Sequence, residues 1–252
     1  AGYYVLVYDS IPEALARARQ KIEASLTKFV EKGQITELER SEILARLSFT
    51  DGLSEFDDVD LLIEAIVEDE EVKTNLFRQL DRIAKPECIF ASNTSSLPIL
   101  TLAAVTERWD RVVGMHFMNP PQLVSLLELI RNRHTSDETV AQVRAVAERM
   151  KRAPIIESAD RAGFVVNRIL LRAINEAAHL VEQGVASVED VDQSVLIGVG
   201  SSKAMPVLRL ADLIGIDICV SVMQVLANAL GSEYQPALIL ENLNLTIRDA
   251  LK

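Results

Sequence analysis

The sequence predicts an α/β fold, a doubly wound parallel sheet followed by an all-α domain, and two observations carry that prediction. In the N-terminal part, short apolar runs rich in β-branched residues alternate with stretches whose apolar positions fall at helical spacing. Beyond Gly163 the strand-like runs stop and every apolar stretch has a helical period. The division is expected near residue 160, giving one domain over 1–159 and a second over 160–252.

Taken in order, Tyr3 to Tyr8 reads as a strand ending at Asp9, and Ile11 to Lys32 as a helix with Ser10 at its N-cap and Pro12 in its first turn. A helix over Glu37 to Leu47 leads to Phe49 and Thr50, and Val59 to Val67 reads as a buried strand. Helix over Glu70 to Ile83, strand over Cys88 to Ala91, helix over Ile99 to Val105 and strand over Val112 to Phe117 continue the alternation. The run Ala153 to Ile156 fits one more strand. The helical part comprises Phe164 to Gln183, stopped by Gly184 at a C′ position, then Val188 to Ile197, Val207 to Ile214, Asp217 to Leu230 and a last piece from Pro236. Alternating strands and helices imply right-handed parallel crossovers, and ligands of such sheets bind at the carboxyl ends of the strands. Those ends carry Asp9, Glu68, Asn93 to Ser95 and His116 to Asn119.

Composition excludes several classes. With 49% hydrophobic and 25% charged residues, the chain is too apolar for disorder. Its 26 Lys and Arg stand against 37 Asp and Glu, a net charge of -11, which repels nucleic acid and anionic membrane surfaces. Cys88 and Cys219 lie far apart among apolar neighbours, with no metal-ligand spacing, and read as buried thiols of a reducing compartment. No basic leader and no long uncharged apolar stretch is found, so a cytoplasmic location is expected.

His116 sits at the end of a strand, where the following Asn119-Pro120-Pro121 turns the chain away, and Glu128 interrupts the apolar run LVSLLELI twelve residues later. A carboxylate in such a run needs a partner, and a His/Glu pair would fix the imidazole tautomer and leave the other ring nitrogen to take a proton. The plainer alternative is a core histidine beside an unrelated glutamate. Asn93 to Ser96 offers amide and hydroxyl groups to a ligand, or else caps the next helix. Asp9 has the place of an acid that binds dinucleotide ribose, or of a helix cap. Glu68 to Glu71 reads most simply as an acidic helix start, and Asn167, in FVVNRILL, as a buried amide that packs helices or meets a ligand. His134 and His179 lack convergent polar neighbours.

The segments FASNTSSLPI (Phe90 to Ile99), GMHFMNPPQLVSLLELI (Gly114 to Ile130), GFVVNRIL (Gly163 to Leu170) and LADLIGID (Leu210 to Asp217) together resemble the L-3-hydroxyacyl-CoA dehydrogenase family, in order and spacing over nearly the whole chain. The resemblance implies a Rossmann-type NAD domain, a helical domain that closes over acyl-CoA, and a homodimer. It makes His116 similar to the histidine that takes the 3-hydroxyl proton, and Glu128 to the glutamate that orients it. By the same resemblance Ser95 contacts the reacting oxygen and the nicotinamide, and Asn167 lies near the substrate carbonyl. Asp9, Glu68, Lys73, Asn93 and Ser95 fall on NAD-contacting positions, and Ser25 and Lys32 on positions near the CoA. An acid at Asp9 favours NAD over NADP by repelling a 2′-phosphate, and Lys32 supplies a local cation for phosphate.

The chain departs from that family's pattern at four places. No G-x-G-x-x-G turn occurs, so the first strand, the glycine loop and most of the first helix of the family are not in this sequence. Strands flanking the absent one are expected to go unpaired, each buried unmet backbone group costing roughly 1–3 kcal/mol. Either the sequence omits part of a longer product, or another strand or subunit fills the place, or the protein is a degenerate relative. The family's C-terminal aromatic tail is also not in the sequence. The turn before the LADLIGID helix reads Ser201 to Val207 where Gly and Pro are usual, and Ala162 and Ser125 stand where the family has Pro and Lys. Besides the dehydrogenase, two readings stay open: a non-catalytic acyl-CoA-binding relative, and a sister dehydrogenase of a sugar acid such as gulonate.

Overall fold

The computed structural model describes residues 1–198 and 205–250, with side chains to residue 245. The Ser201 to Ala204 part of the turn singled out in the sequence therefore lies outside the described residues. The N-terminal strands and helices are β1 (Val5–Tyr8), α1 (Pro12–Glu31), α2 (Glu37–Ala45), β2 (Leu47–Thr50), β3 (Leu61–Glu64), α3 (Glu70–Asp81), β4 (Ile89–Ser92), α4 (Ile99–Ala103), β5 (Val112–Phe117), β6 (Leu127–Arg131), α5 (Asp137–Arg149) and β7 (Ile155–Ala159). The helices α6 (Val166–Glu182), α7 (Val188–Gly198), α8 (Val207–Ile214), α9 (Ile216–Leu230) and α10 (Leu238–Ala250) follow. This is the α/β architecture followed by helices that the sequence predicts.

Five strands form one sheet in the order β3-β4-β5-β6-β7, and β1 and β2 form a separate parallel pair. Among the described residues β1 pairs only with β2, and β3 only with β4, so each leaves one side of its backbone ladder unpaired. The open sides show in exposure: Val5 is 44% and Ile63 40% accessible, although both are strand residues.

The sheet is parallel except at one place, which the sequence did not predict: β6 runs antiparallel to β5. Residues 118–126 are too few for a helical crossover, which needs a dozen or more, so the chain can only double back. The longer connection through α5 then restores parallel pairing between β6 and β7.

Period-two alternation sends the two faces of β4 to different cores. Phe90 packs with Phe77, Leu80 and Ile99 of the α3 and α4 side, and Ile89 and Ala91 pack with Met115, Leu129 and Val143 of the α5 side. A third core, around Ile174, Met223 and Leu226, holds α6 to α10 together. Cys88 and Cys219 are both buried, and burial pushes each thiol up to about 11, which keeps them protonated. Among the described residues no single helix is long and apolar enough to cross a membrane.

Candidate active site

Antiparallel pairing of β5 with β6 places His116 directly opposite Glu128. Their side chains meet at 2.7 Å, Nδ1 to Oε2, with Glu128 fully buried and His116 nearly so. Burial pushes the Glu128 carboxyl up, but the His116 hydrogen bond and the amides of Val166 and Val165 outweigh it and hold the group below its ordinary value. Glu128 is thus a carboxylate at neutral pH, so Nδ1 of His116 carries the proton and donates it. Nε2 is left as the acceptor, with no hydrogen-bond partner among the described residues.

The other oxygen of Glu128 accepts from the amides of Val165 and Val166, both at 2.9 Å, at the start of α6. A carboxylate suits a helix N-terminus, where amides point outward unpaired. The same short segment makes two more contacts. The Phe164 ring stands edge-on to the His116 imidazole at 5.7 Å, and Asn167 Nδ2 donates to the Ser95 carbonyl at 3.3 Å. Residues 164–167 therefore touch His116, Glu128 and Ser95 at once. Phe164 holds a left-handed φ of 47°, a conformation that side-chain-bearing residues adopt at a cost and that clusters at functional sites.

The strand-end residues form a second network. Glu68 Oε1 accepts from the Thr94 hydroxyl (2.5 Å), the amides of Ser95 and Ser96 (both 3.0 Å) and the Ser96 hydroxyl (2.9 Å). Burial raises the Glu68 pKa, while Thr94, the Lys73 charge and Ser96 lower it further, so the net direction is downward. Asn93 accepts from the amide of Phe117 at 2.9 Å, tying the end of β4 to the residue after His116. The capping alternative for this loop does not hold, since α4 starts at Ile99 with Pro98 at its N-cap and no side-chain cap; the Thr94 hydroxyl accepts from Leu97 N at 2.9 Å within the loop itself. Lys73 is 1% exposed, and its ammonium lies 2.6 Å from Glu64, 3.2 Å from Glu68 and 3.3 Å from the Ile66 carbonyl. Glu64, hidden in the run VDLLIEAIV, was not singled out in the sequence; its only signal there is a lone acid inside an apolar strand.

Asp9 stands at the end of β1, where one oxygen accepts from Ile11 N at 2.9 Å in a turn ahead of α1 and does not cap the helix, and the other has no partner among the described residues. Ile11, not Ser10, is the N-cap of α1. Ser25 and Lys32 lie about 10 Å apart along α1 and its C-cap, with no described contact to the His/Glu pair. His134 meets the Trp109 ring edge-on and His179 faces Glu182, neither with a described contact to the His/Glu pair.

For the NAD that the resemblance implies, the side chains fit the sugar and nicotinamide ends: the acids Asp9, after β1, and Glu68, beyond β3, suit ribose hydroxyls, and the Asn93 amide and Ser95 hydroxyl follow β4. No glycine-lined amide cradle for the pyrophosphate occurs in the sequence.

Residues 1–160 match the family model for the 3-hydroxyacyl-CoA dehydrogenase NAD binding domain, and residues 163–248 the model for its C-terminal domain. A probable 3-hydroxybutyryl-CoA dehydrogenase of Bacillus subtilis is 46% identical over 241 residues, covering 95% of this chain and 83% of its own length. The crystal structure of FadB2 from M. tuberculosis superposes with a TM-score of 0.91 at 37% identity, covering 96% of this chain and 85% of that one. The (S)-3-hydroxybutyryl-CoA dehydrogenase PaaH1 of Ralstonia eutropha gives 0.89 at 36% identity, covering 94% and 83%. The chain belongs to the 3-hydroxyacyl-CoA dehydrogenase family.

Proposed function

We propose that this chain is an NAD-dependent oxidoreductase that converts L-3-hydroxyacyl-CoA, 3-hydroxybutyryl-CoA among its substrates, to 3-ketoacyl-CoA. The observation that carries the reading is the buried His116 and Glu128 pair at 2.7 Å, with the ring's second nitrogen unpartnered. NAD, when bound, supplies an acceptor for the hydride that leaves C3. His116 Nε2 takes the proton of the 3-hydroxyl as the carbonyl forms, and Glu128 stabilises the imidazolium that results. Ser95 and Asn167, joined at 3.3 Å, hold the reacting oxygen and the thioester carbonyl. Asp9, Glu68 and Asn93 are the residues that would hold the cofactor, and Ser25 and Lys32 those that would meet the CoA.

On this reading residues 1–159 form the cofactor domain and residues 160–252 the substrate and subunit domain. A homodimer is supported by the exposed Ile169, Ile197 and Leu213, which leave apolar surface on three helices of the second part. A cytoplasmic place in fatty-acid β-oxidation suits the substrate class and the net charge of -11. The test is oxidation of NADH by acetoacetyl-CoA, followed by absorbance. Turnover that disappears in His116→Gln supports the reading, and a folded wild-type chain without turnover overturns it.

A further inference from the structure

Glu64 and Lys73 are a buried ion pair that the chemistry above does not use. Glu64 is 3% and Lys73 1% exposed, and their charges meet at 2.6 Å. A pair of this kind adds little net stability over apolar side chains of the same shape, because desolvation offsets the attraction. Its effect here is geometric. One arm runs from Glu64 Oε2 to the Ser92 hydroxyl (2.6 Å), which in turn accepts from Thr94 N (3.2 Å). The other runs from Glu64 Oε1 through the Lys73 ammonium to Glu68, and from Glu68 to the amides of Ser95 and Ser96. Both arms start on one carboxylate of β3 and end on consecutive residues of one loop.

We infer that Glu64 and Lys73 are positioning residues, which act through Glu68 and Ser92 to hold Ser95 in its place for the reaction. Lys73 is the link between the two carboxylates. Its ammonium is already surrounded by two carboxylates and a carbonyl, and almost none of it reaches solvent. A site held to fractions of an ångström requires this kind of support behind it. The inference rests on the dehydrogenase reading for what Ser95 does, and not for how Ser95 is held.

The experiment combines amide hydrogen exchange on the cofactor-free chain with steady-state kinetics, for Glu64→Gln, Lys73→Met, the double variant and Ser92→Ala. Gln keeps the shape of Glu64, and Ser92→Ala probes the second arm if the pair variants do not fold. Exchange at Ser95 and Ser96 is expected to speed up roughly tenfold in each folded variant, while Ile174 in the helical core is unchanged. The double variant is expected to be no worse than either single, because both remove the same link. With turnover present, kcat falls and KM for acetoacetyl-CoA stays within about twofold. Wild-type exchange at Ser95 and Ser96 in folded variants overturns the inference, as does a uniform rise across the molecule, or single effects that multiply in the double. Inactive wild-type protein with the expected exchange pattern would sink the dehydrogenase reading and leave the positioning intact.

Discussion

Glu128 and Val166 share a hydrogen bond of 2.9 Å across the seam between the sheet and the helices, so the carboxylate that orients His116 is itself held by the first turn of α6. The geometry of the proton acceptor is therefore set jointly by the two halves of the chain.

Replacement of His116 by Gln keeps a similar volume and removes the proton acceptor. Turnover is expected to fall by about 10²- to 10⁴-fold, the usual contribution of a positioned acid or base, with an unchanged melting curve. NADH absorbance and circular dichroism on the same samples check both parts; turnover within tenfold of wild type would show that another group takes the proton.

Glu128→Gln has a pH signature. The folded-state pKa of Glu128 is lowered, so its carboxylate stabilises the fold fully above the unfolded value of about 4.3, and that contribution is lost as pH falls through the lower folded value. Wild type is expected to exceed the variant in stability at pH 7 and to converge on it as pH falls below the unfolded value and through the lower folded one. Urea midpoints across that range decide, and a difference independent of pH would contradict the assignment.

Gly163 combines a φ of +72° with a position where a Cβ would lie 2.6 Å from Leu226 Cδ2 in the helical core. Gly184 has a similar φ of +66° but nothing within 4 Å. Ala at 184 carries only the backbone cost, whereas Ala at 163 adds overpacking of about 1–3 kcal/mol. Gly163→Ala is also expected to lower kcat, because Val165 and Val166 follow directly. Equal midpoints for the two variants in urea would refute the packing argument.

Arg108 lies over the Phe90 ring at 4.5 Å, bonds the Asp81 carboxylate at 2.6 Å and covers the carbonyls of Asp81, Ala84, Lys85 and Cys88 after α3. Arg108→Met is expected to cost about 3–5 kcal/mol, since it leaves the mostly buried Asp81 carboxylate without its cation and takes a donor from several carbonyls. Denaturant titration checks it, and a loss under 1 kcal/mol would mean that water replaces the guanidinium.

Local pattern made much of this legible. Strand β5 coincides with its predicted range because five of its six residues are apolar or small, and the His/Glu pair showed itself as a charge stranded in an apolar run. What stayed hidden depends on pairing between distant residues. The antiparallel turn between β5 and β6 follows from connection length, which matters only once both strands are known, and α5 was not recognised at all. Lys73 looks like an ordinary helix-surface lysine in sequence. Its burial follows from Glu64, nine residues earlier on another element. Asp9 shows the limit of any single position, since one oxygen closes a local turn to Ile11 and the other has no partner among the described residues.

The N-terminal elements have one more consequence. Neither α1 nor α2 contains a fully buried residue, and β1 has none either. Segments with so little buried apolar contact open at far lower free energy than the core. Ser25 and Lys32 lie on α1 and its C-cap, so in the proposed reading acyl-CoA binding engages an element with little buried apolar contact of its own. Calorimetry of acyl-CoA binding should then show a negative heat-capacity change larger than the direct contact area accounts for, the signature of a surface completed by its own ligand.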